Sequence, residues 1–193
     1  MPDFVAPVVP AGRLSGRAQP EIRVDELLLR PWSLADVPAL VEAYTDPDIQ
    51  RWHVRSMSAQ EASQWASAWA RRWAEETGAG WAIDLDGVLA GRMCVRRLDL
   101  DQGEGEAAYW VLPRARGRGV ATRALRAVTD WMFTHVGLHR VYLEHSTRNE
   151  ASCRVAAGAE FLAEGTKRSA GLHLDGWHDM HLHARVNRER SRP

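Results

Sequence analysis

A chain of 193 residues favours one domain with a real hydrophobic core. With 45% apolar residues, 26% charged residues and a formal net charge of zero, it has the balance of an ordinary soluble protein, and its overall charge gives no reason to expect a nucleic-acid or anionic-membrane partner. Its apolar runs are too short to cross a bilayer, its N-terminus lacks the pattern of a signal peptide, and Cys94 and Cys153 stand in no metal-type spacing; a reduced, cytoplasmic protein is expected.

In chain order, residues 1–20 are rich in Pro, Ala, Gly and Arg, lack periodicity, and read as a flexible tail ahead of a domain spanning 21–187. Residues 26–30 form a short apolar strand stopped by Pro31. Ser33 is a candidate N-cap for a helix running to Tyr44, and Asp46-Pro47-Asp48 reads as a turn. Ser58 with Glu61 three residues on makes a capping box. The helix it opens runs to about Glu76, with Gly78 and Gly80 to stop it. Strands over 81–85 and 88–98 flank Asp86-Gly87, the strongest hairpin signal in the chain. A strand over 106–112 ends at Pro113, and a helix over 120–135 carries Leu125, Val128, Trp131 and Met132 on one face before Gly137. A strand over 140–144, a short helix over 150–157 and strands over 161–168 and 178–186 follow, with residues 188–193 as a second polar tail. The order predicts a mixed α/β (α+β) fold around one sheet of six to seven strands, with about four helices.

The segment between the strand at 106–112 and the helix at 120–135 carries the chemistry. A helix start exposes about four unpaired N–H groups and roughly half a positive charge. Gly117 and Gly119 let the backbone bend and admit a phosphate close to the amides, and Arg114, Arg116 and Arg118 add charge suited to phosphate oxygens. No Gly-Lys-Ser/Thr follows, so this is not a Walker A loop; Thr122 stands where a dinucleotide fingerprint would have its third glycine. A diphosphate fits the pattern, and so does an Arg-rich helix start without a ligand.

The pattern Arg-x-x-Gly-x-Gly after an apolar strand and before a helix resembles motif A of the GNAT (GCN5-related) N-acetyltransferases. Leu28-Leu-Leu-Arg-Pro-Trp32, Ala108-Tyr-Trp-Val111, Arg116-Gly-Arg-Gly-Val-Ala-Thr122, Asn149-Glu-Ala-Ser152 and the Phe161 region look like the branch that acetylates ribosomal-protein N-termini, the Rim type. The resemblance spans about residues 26–186. It implies a sheet splayed at its centre and acetyl-CoA as cosubstrate, without a metal. It also implies transfer of the acetyl group to a primary amine, either of a small molecule or of a peptide or protein N-terminus. A different acyl-CoA donor, or a CoA-binding module without catalysis, is the competing reading. Similar proteins are often dimers, which makes a homodimer a candidate assembly.

Carried over by position, the segment from Arg114 through Arg116, Gly117, Arg118, Gly119, Val120 and Ala121 to Thr122 would hold the CoA pyrophosphate. Val111 and Leu112 would pair with the pantetheine arm through their backbone, and Asn149 would meet CoA from the far side of the gap. Ser152, one helical turn on, faces the same way as Asn149. Glu106 matches the position of a catalytic glutamate in several GNAT branches and is the candidate base, through a water; the plainer reading is a salt-bridged strand residue. Many GNATs place a Tyr or Ser as proton donor where this chain has Ala156, leaving Ser152, Tyr142 or solvent. Glu160 stands where the family usually has Gly before Phe161.

Trp52, His53, Trp65, Trp69, Tyr109 and His178 are the candidate acceptor-binding residues. Trp65, Trp69 and Trp73 recur every four residues and form one aromatic stripe, which either packs on the sheet or walls the acceptor groove; in the latter case an indole face would suit an apolar acceptor or a cationic amine. His181 and His183 share a strand face in a His-rich stretch with His173 and His178. With no third ligand at a characteristic spacing they read as packed or exposed side chains.

Overall fold

The computed structural model describes residues 5–187. Eight strands form one sheet: β1 (Ile22–Val24), β2 (Leu27–Pro31), β3 (Gly78–Leu85), β4 (Val88–Asp99), β5 (Glu104–Val111), β6 (Arg140–Ser146), β7 (Leu162–His173) and β8 (Gly176–Val186), in the spatial order β1-β2-β3-β4-β5-β6-β8-β7. Every neighbouring pair is antiparallel except β5 and β6. Five α-helices cover the sheet: α1 (Val37–Ala43), α2 (Pro47–His53), α3 (Ala59–Ala74), α4 (Val120–Trp131, extended by a π turn to Val136) and α5 (Glu150–Gly158). One apolar cluster joins α4 and α5 to the strands through Leu125, Val128, Met132 and Ala156; a second joins α1, α2 and α3 to Trp110 and Leu112.

Most of the local signals act as expected. Asp86 and Gly87 both have positive φ (54° and 79°), the geometry a two-residue hairpin turn requires, and Leu85 pairs with Val88 across it. Ser58 and Glu61 form a reciprocal capping box on α3.

Three expectations are corrected. Residues 5–20 are docked rather than a free tail: Val9 and Leu14 are fully buried, and the Glu76 carboxylate accepts backbone N–H bonds from Gly12, Leu14 and Ser15. Those few apolar side chains are too sparse to show periodicity, yet they fill a hole in the core. The second polar tail, 188–193, lies outside the described residues. Asp46-Pro47-Asp48 opens a helix, α2, in which Asp46 caps the Ile49 N–H and Pro47 takes the first helical position. Finally, Gly78 and Gly80 do not stop α3. That helix ends in a Schellman turn at Glu76 (φ 57°), and Gly80 lies inside β3.

The tryptophan stripe is a packing device. Trp69 is buried flat against Gly80, where an added Cβ would sit 2.3 Å from the indole. Trp65 and Trp69 pack edge to face, and Trp65 meets Trp32 in the same way. Trp73 donates its indole N–H to the Arg17 carbonyl and packs on Trp81 and Trp131.

Helix α5 also ends in a Schellman turn, with Phe161 N–H bonded to the Ala156 carbonyl and Glu160 N–H to the Ala157 carbonyl. The turn places Glu160 at φ 66°, a backbone region that suits glycine. Its carboxylate is exposed, with long ion pairs to Arg126 (3.4 Å) and Arg185 (3.7 Å) that contribute little. Glu160→Gly should therefore stabilise the protein by about 0.5–1 kcal/mol, raising Tm by a few degrees in a calorimetric scan. A lower Tm would show that the ion pairs outweigh the strain.

Candidate active site

The site begins where β5 and β6 part. They pair in parallel at only three positions, Glu104–Arg140, Gly105–Val141 and Glu106–Tyr142. Beyond these, β5 runs on to Val111 bonded to β4 alone, and β6 runs on to Ser146 bonded to β8 alone. A wedge opens between the strands, flanked by two strand edges whose inward-facing backbone groups have no ladder partner.

The glycine turn closes the wide end of the wedge. Gly117 (φ 75°) and Gly119 (φ 70°, the N-cap of α4) hold the chain in a region that other residues enter with strain. No atom lies within 4 Å of where a Cβ of Gly117 would stand, so the backbone is open to a ligand on that side. On the far side of the wedge Asn149 caps α5, its side-chain oxygen accepting the Ser152 N–H at 3.1 Å. The Tyr109 hydroxyl reaches across from β5 to donate to the Ser152 carbonyl at 3.4 Å.

Two cavities meet in the wedge. The larger, about 720 Å³, is lined by Val111, Arg116, Gly117, Gly119, Val120, Ala121 and Thr122 on the α4 side and by Asn149 and Ser152 on the α5 side. The smaller, about 220 Å³, lies between Arg92, Arg96 and Ala108 on one side and Glu144, His145 and Ser146 on the other. Trp52, His53, Tyr109, Asn149 and Ser152 line both, so the larger cavity and the smaller chamber adjoin at these side chains.

Several expected residues fall elsewhere. Leu112 is buried in the α1–α3 cluster rather than on the cavity wall. Arg114 turns away from the cavity to donate to the Leu89 carbonyl at 2.6 Å, and Arg118 lies beside Asp86 at 3.8 Å. Arg116 does line the cavity, but its guanidinium is held by Asp46 (2.8 Å), Asp48 (2.6 Å) and the Val111 carbonyl, which ties the turn to α2. What this turn leaves to face an anion is therefore its backbone N–H groups and the α4 dipole. Glu106, expected as the base, is only 2% exposed, paired with Arg96 (2.6 Å) and Arg97 (3.0 Å), and lines neither cavity. His178 is buried behind the chamber, bonded to Ser146 Oγ (2.8 Å) and Asp175 (2.8 Å). Trp65 and Trp69 belong to the packed stripe, and the buried Arg92 guanidinium already covers their faces at 5.1 and 5.6 Å.

The charges in the small chamber are unusual. Arg92 is buried and hydrogen-bonded to Tyr44 Oη and Cys94 Sγ; among the described residues it has no carboxylate partner. Arg92 could not be assigned from sequence, because it reaches the chamber from β4, far along the chain from the glycine turn. Burial, with the Arg92 cation adding to it, pushes the His53 imidazole down to about 3, so it is neutral at physiological pH. Burial pushes the Tyr109 phenol up to about 12, and it keeps its proton.

Comparison with known proteins agrees with this architecture. The Acetyltransferase (GNAT) domain family matches residues 26–161. YdaF of Bacillus subtilis (strain 168), named as a candidate ribosomal N-acetyltransferase, is 32% identical over 105 residues, 54% of this chain and 57% of its own. YoaA of the same organism, an N-acetyltransferase by name, is 26% identical over 77% of this chain and 86% of its own. The match thus spans little more than half the length of YdaF. Among solved structures, RimL, a ribosomal L7/L12 α-N-protein acetyltransferase in complex with coenzyme A, superposes with a TM-score of 0.81 at 20% identity, covering 86% of this chain and 98% of its own. Mycobacterium smegmatis RimJ, in complex with CoA-disulfide, gives 0.79 at 24% identity over 90% and 88%. At these identities the structural matches establish the fold.

The depressed His53 makes a pH prediction. The unfolded chain takes up a proton near pH 6.5 that the folded chain refuses until about pH 3, so stability falls as pH drops through that window. Thermal melts at pH 7 and pH 5 should show a larger loss of Tm for the native protein than for His53→Gln. Equal losses would show that His53 is solvated and titrates normally.

Proposed function

The chain belongs to the GNAT acetyltransferase family, and we propose that it transfers an acetyl group from acetyl-CoA to a primary amine held in the small chamber. The observation that carries this reading is the wedge between β5 and β6, with the open glycine turn at its wide end and the chamber adjoining it across Tyr109 and Ser152. An extended pantetheine arm would add to the free edge of β5 as an extra strand, with its diphosphate on the amides between Gly117 and Thr122. Asn149 and Ser152 would flank it from α5.

In the chemistry we infer, the amine nitrogen attacks the thioester carbonyl, the C–S bond breaks, the amine loses a proton and the thiolate gains one. Glu106 is held by two arginines outside the cavities, and Glu144, the carboxylate in the chamber wall, is ion-paired with Lys167. Arg92 supplies the alternative: a buried cation in the chamber disfavours a protonated amine and so raises the fraction of neutral nucleophile. The hydroxyls nearest the junction of the cavities are Ser152 and Tyr109. Tyr109 keeps its proton at neutral pH and is the better-placed donor to the leaving thiolate, filling the role left open at Ala156.

For the acceptor, we favour a peptide or protein N-terminus over a small amine. The named relatives YdaF and RimL are ribosomal acetyltransferases by name, and a chamber of about 220 Å³ that adjoins an open cavity accommodates the end of a chain. A homodimer and a cytoplasmic location accord with this reading. Among the described residues no helix is long and apolar enough to cross a membrane.

A thiol-release assay with acetyl-CoA and a panel of N-terminal peptides and small amines tests the activity; tight CoA binding with no release across the panel would overturn it. Gly117→Asp should abolish CoA binding by calorimetry while circular dichroism stays unchanged, because it sets a carboxylate beside the diphosphate. Retained affinity would refute the placement. Tyr109→Phe should lower kcat about 100-fold with CoA affinity intact; an unchanged kcat would return the proton to Ser152 or solvent.

A further inference from the structure

The underside of α5 faces a cluster that takes no step in the acetyl-transfer chemistry, although His145 also lines the small chamber. His145 on β6 and His181 on β8 are directly opposed cross-strand partners, and His183 lies two residues along β8 on the same face. Cys153 on α5 comes down onto them. One ligand atom from each of the four side chains lies within 4.8 Å of all the others. The Cys153 sulfur is 3.4 Å from His181 Nδ1 and 3.9 Å from His183 Nε2. A tetrahedral centre with metal–sulfur bonds of ~2.3 Å and metal–nitrogen bonds of ~2.1 Å has sulfur–nitrogen edges of ~3.6 Å, midway between these distances.

The hydrogen bonding sharpens the case. His145 and His183 are each only 6% exposed. His145 Nδ1 lies 2.8 Å from the Ser146 carbonyl, which can only accept, so Nδ1 carries the proton and Nε2 holds a bare lone pair. That Nε2 is buried without a hydrogen-bond partner. Buried polar atoms are rarely left orphaned unless something outside the chain satisfies them. A histidine that donates one ring nitrogen to a backbone carbonyl while presenting the other is the usual arrangement of a metal ligand.

The structure assigns to His145, Cys153, His181 and His183 a tetrahedral zinc site that clamps α5 to β6 and β8. Three imidazole nitrogens and one thiolate suit zinc by ligand type and number, and the metal displaces the Cys153 thiol proton to solvent. Four protein ligands leave no open position, so the site is structural. It is independent of the acetyl-transfer reading.

The test uses the full chain, prepared without a polyhistidine tag, stripped with a chelator and titrated with zinc or cobalt alone. The expected result is one zinc per chain by elemental analysis, a higher Tm with zinc, and a cobalt form with tetrahedral visible bands and a thiolate-to-cobalt band. Zinc should also protect Cys153 from alkylation, read by peptide mass spectrometry, while Cys94 stays buried in either form. Cys153→Ser should weaken zinc by more than the roughly 10–100-fold that outer-shell changes cost, and should remove the charge-transfer band. Substoichiometric zinc with an octahedral cobalt spectrum, or equal alkylation of Cys153 with and without zinc, would overturn the assignment. The measurements on the unmutated chain decide the question even if the variant does not fold.

Discussion

The constraint on which the rest of the structure depends is the parting of β5 and β6 after three paired residues. A backbone group left unpaired and buried costs roughly 1–3 kcal/mol, and the wedge exposes the inner edges of two strands. A fold keeps such an opening only if something holds the strands apart. Here the last paired position, Glu106, is fixed by Arg96 and Arg97, and Tyr109 spans the opening to the Ser152 carbonyl. The carboxylate that resembled a catalytic base therefore serves at the vertex of the wedge.

Charge is distributed in the same economical way. Of the three arginines of the glycine turn, Arg114 braces the β3–β4 hairpin, Arg118 lies against Asp86, and Arg116 ties the turn to α2 through Asp46 and Asp48. The last of these connects the two halves of the site, because α2 carries Trp52 and His53 into the cavity wall. An anion at the turn would meet backbone N–H groups whose position is already set by these contacts, and it need not reorganise side chains to bind.

What could be read in the sequence was whatever depends on neighbours along the chain. The Asp86-Gly87 hairpin, the Ser58–Glu61 capping box and the Gly117–Gly119 helix start each require particular residues at fixed short spacings, and each forms. Helix α2 was hidden because Asp-Pro-Asp serves a turn and a helix start equally well. The docking of residues 5–20 was hidden because two buried side chains, Val9 and Leu14, make no periodic pattern. The role of the tryptophan stripe turned on Gly80, a strand glycine whose missing side chain makes room for Trp69. The site was legible to the same degree: the turn and the spacing that sets Asn149 and Ser152 on one helix face could be read, whereas Arg92 and the histidine–cysteine cluster are assembled by strand register and helix docking, across separations that no spacing rule covers.

Helix α5 brings these threads together. Consecutive residues on a helix point about 100° apart, so Ser152 can face the cavities while Cys153 faces the sheet. Asn149 and Ser152 contribute to the upper wall only if α5 keeps its height above β6 and β8. Hydrophobic packing alone holds the helix weakly, since Ala156 is its one fully buried side chain. Polar contacts supply the rest: the Schellman turn at Glu160, the Tyr109 phenol and the convergence of His145, His181 and His183 on Cys153. The geometry of the cavities is therefore set as much from beneath the helix as from within them, and a change at Cys153 bears on the cavity wall without touching it.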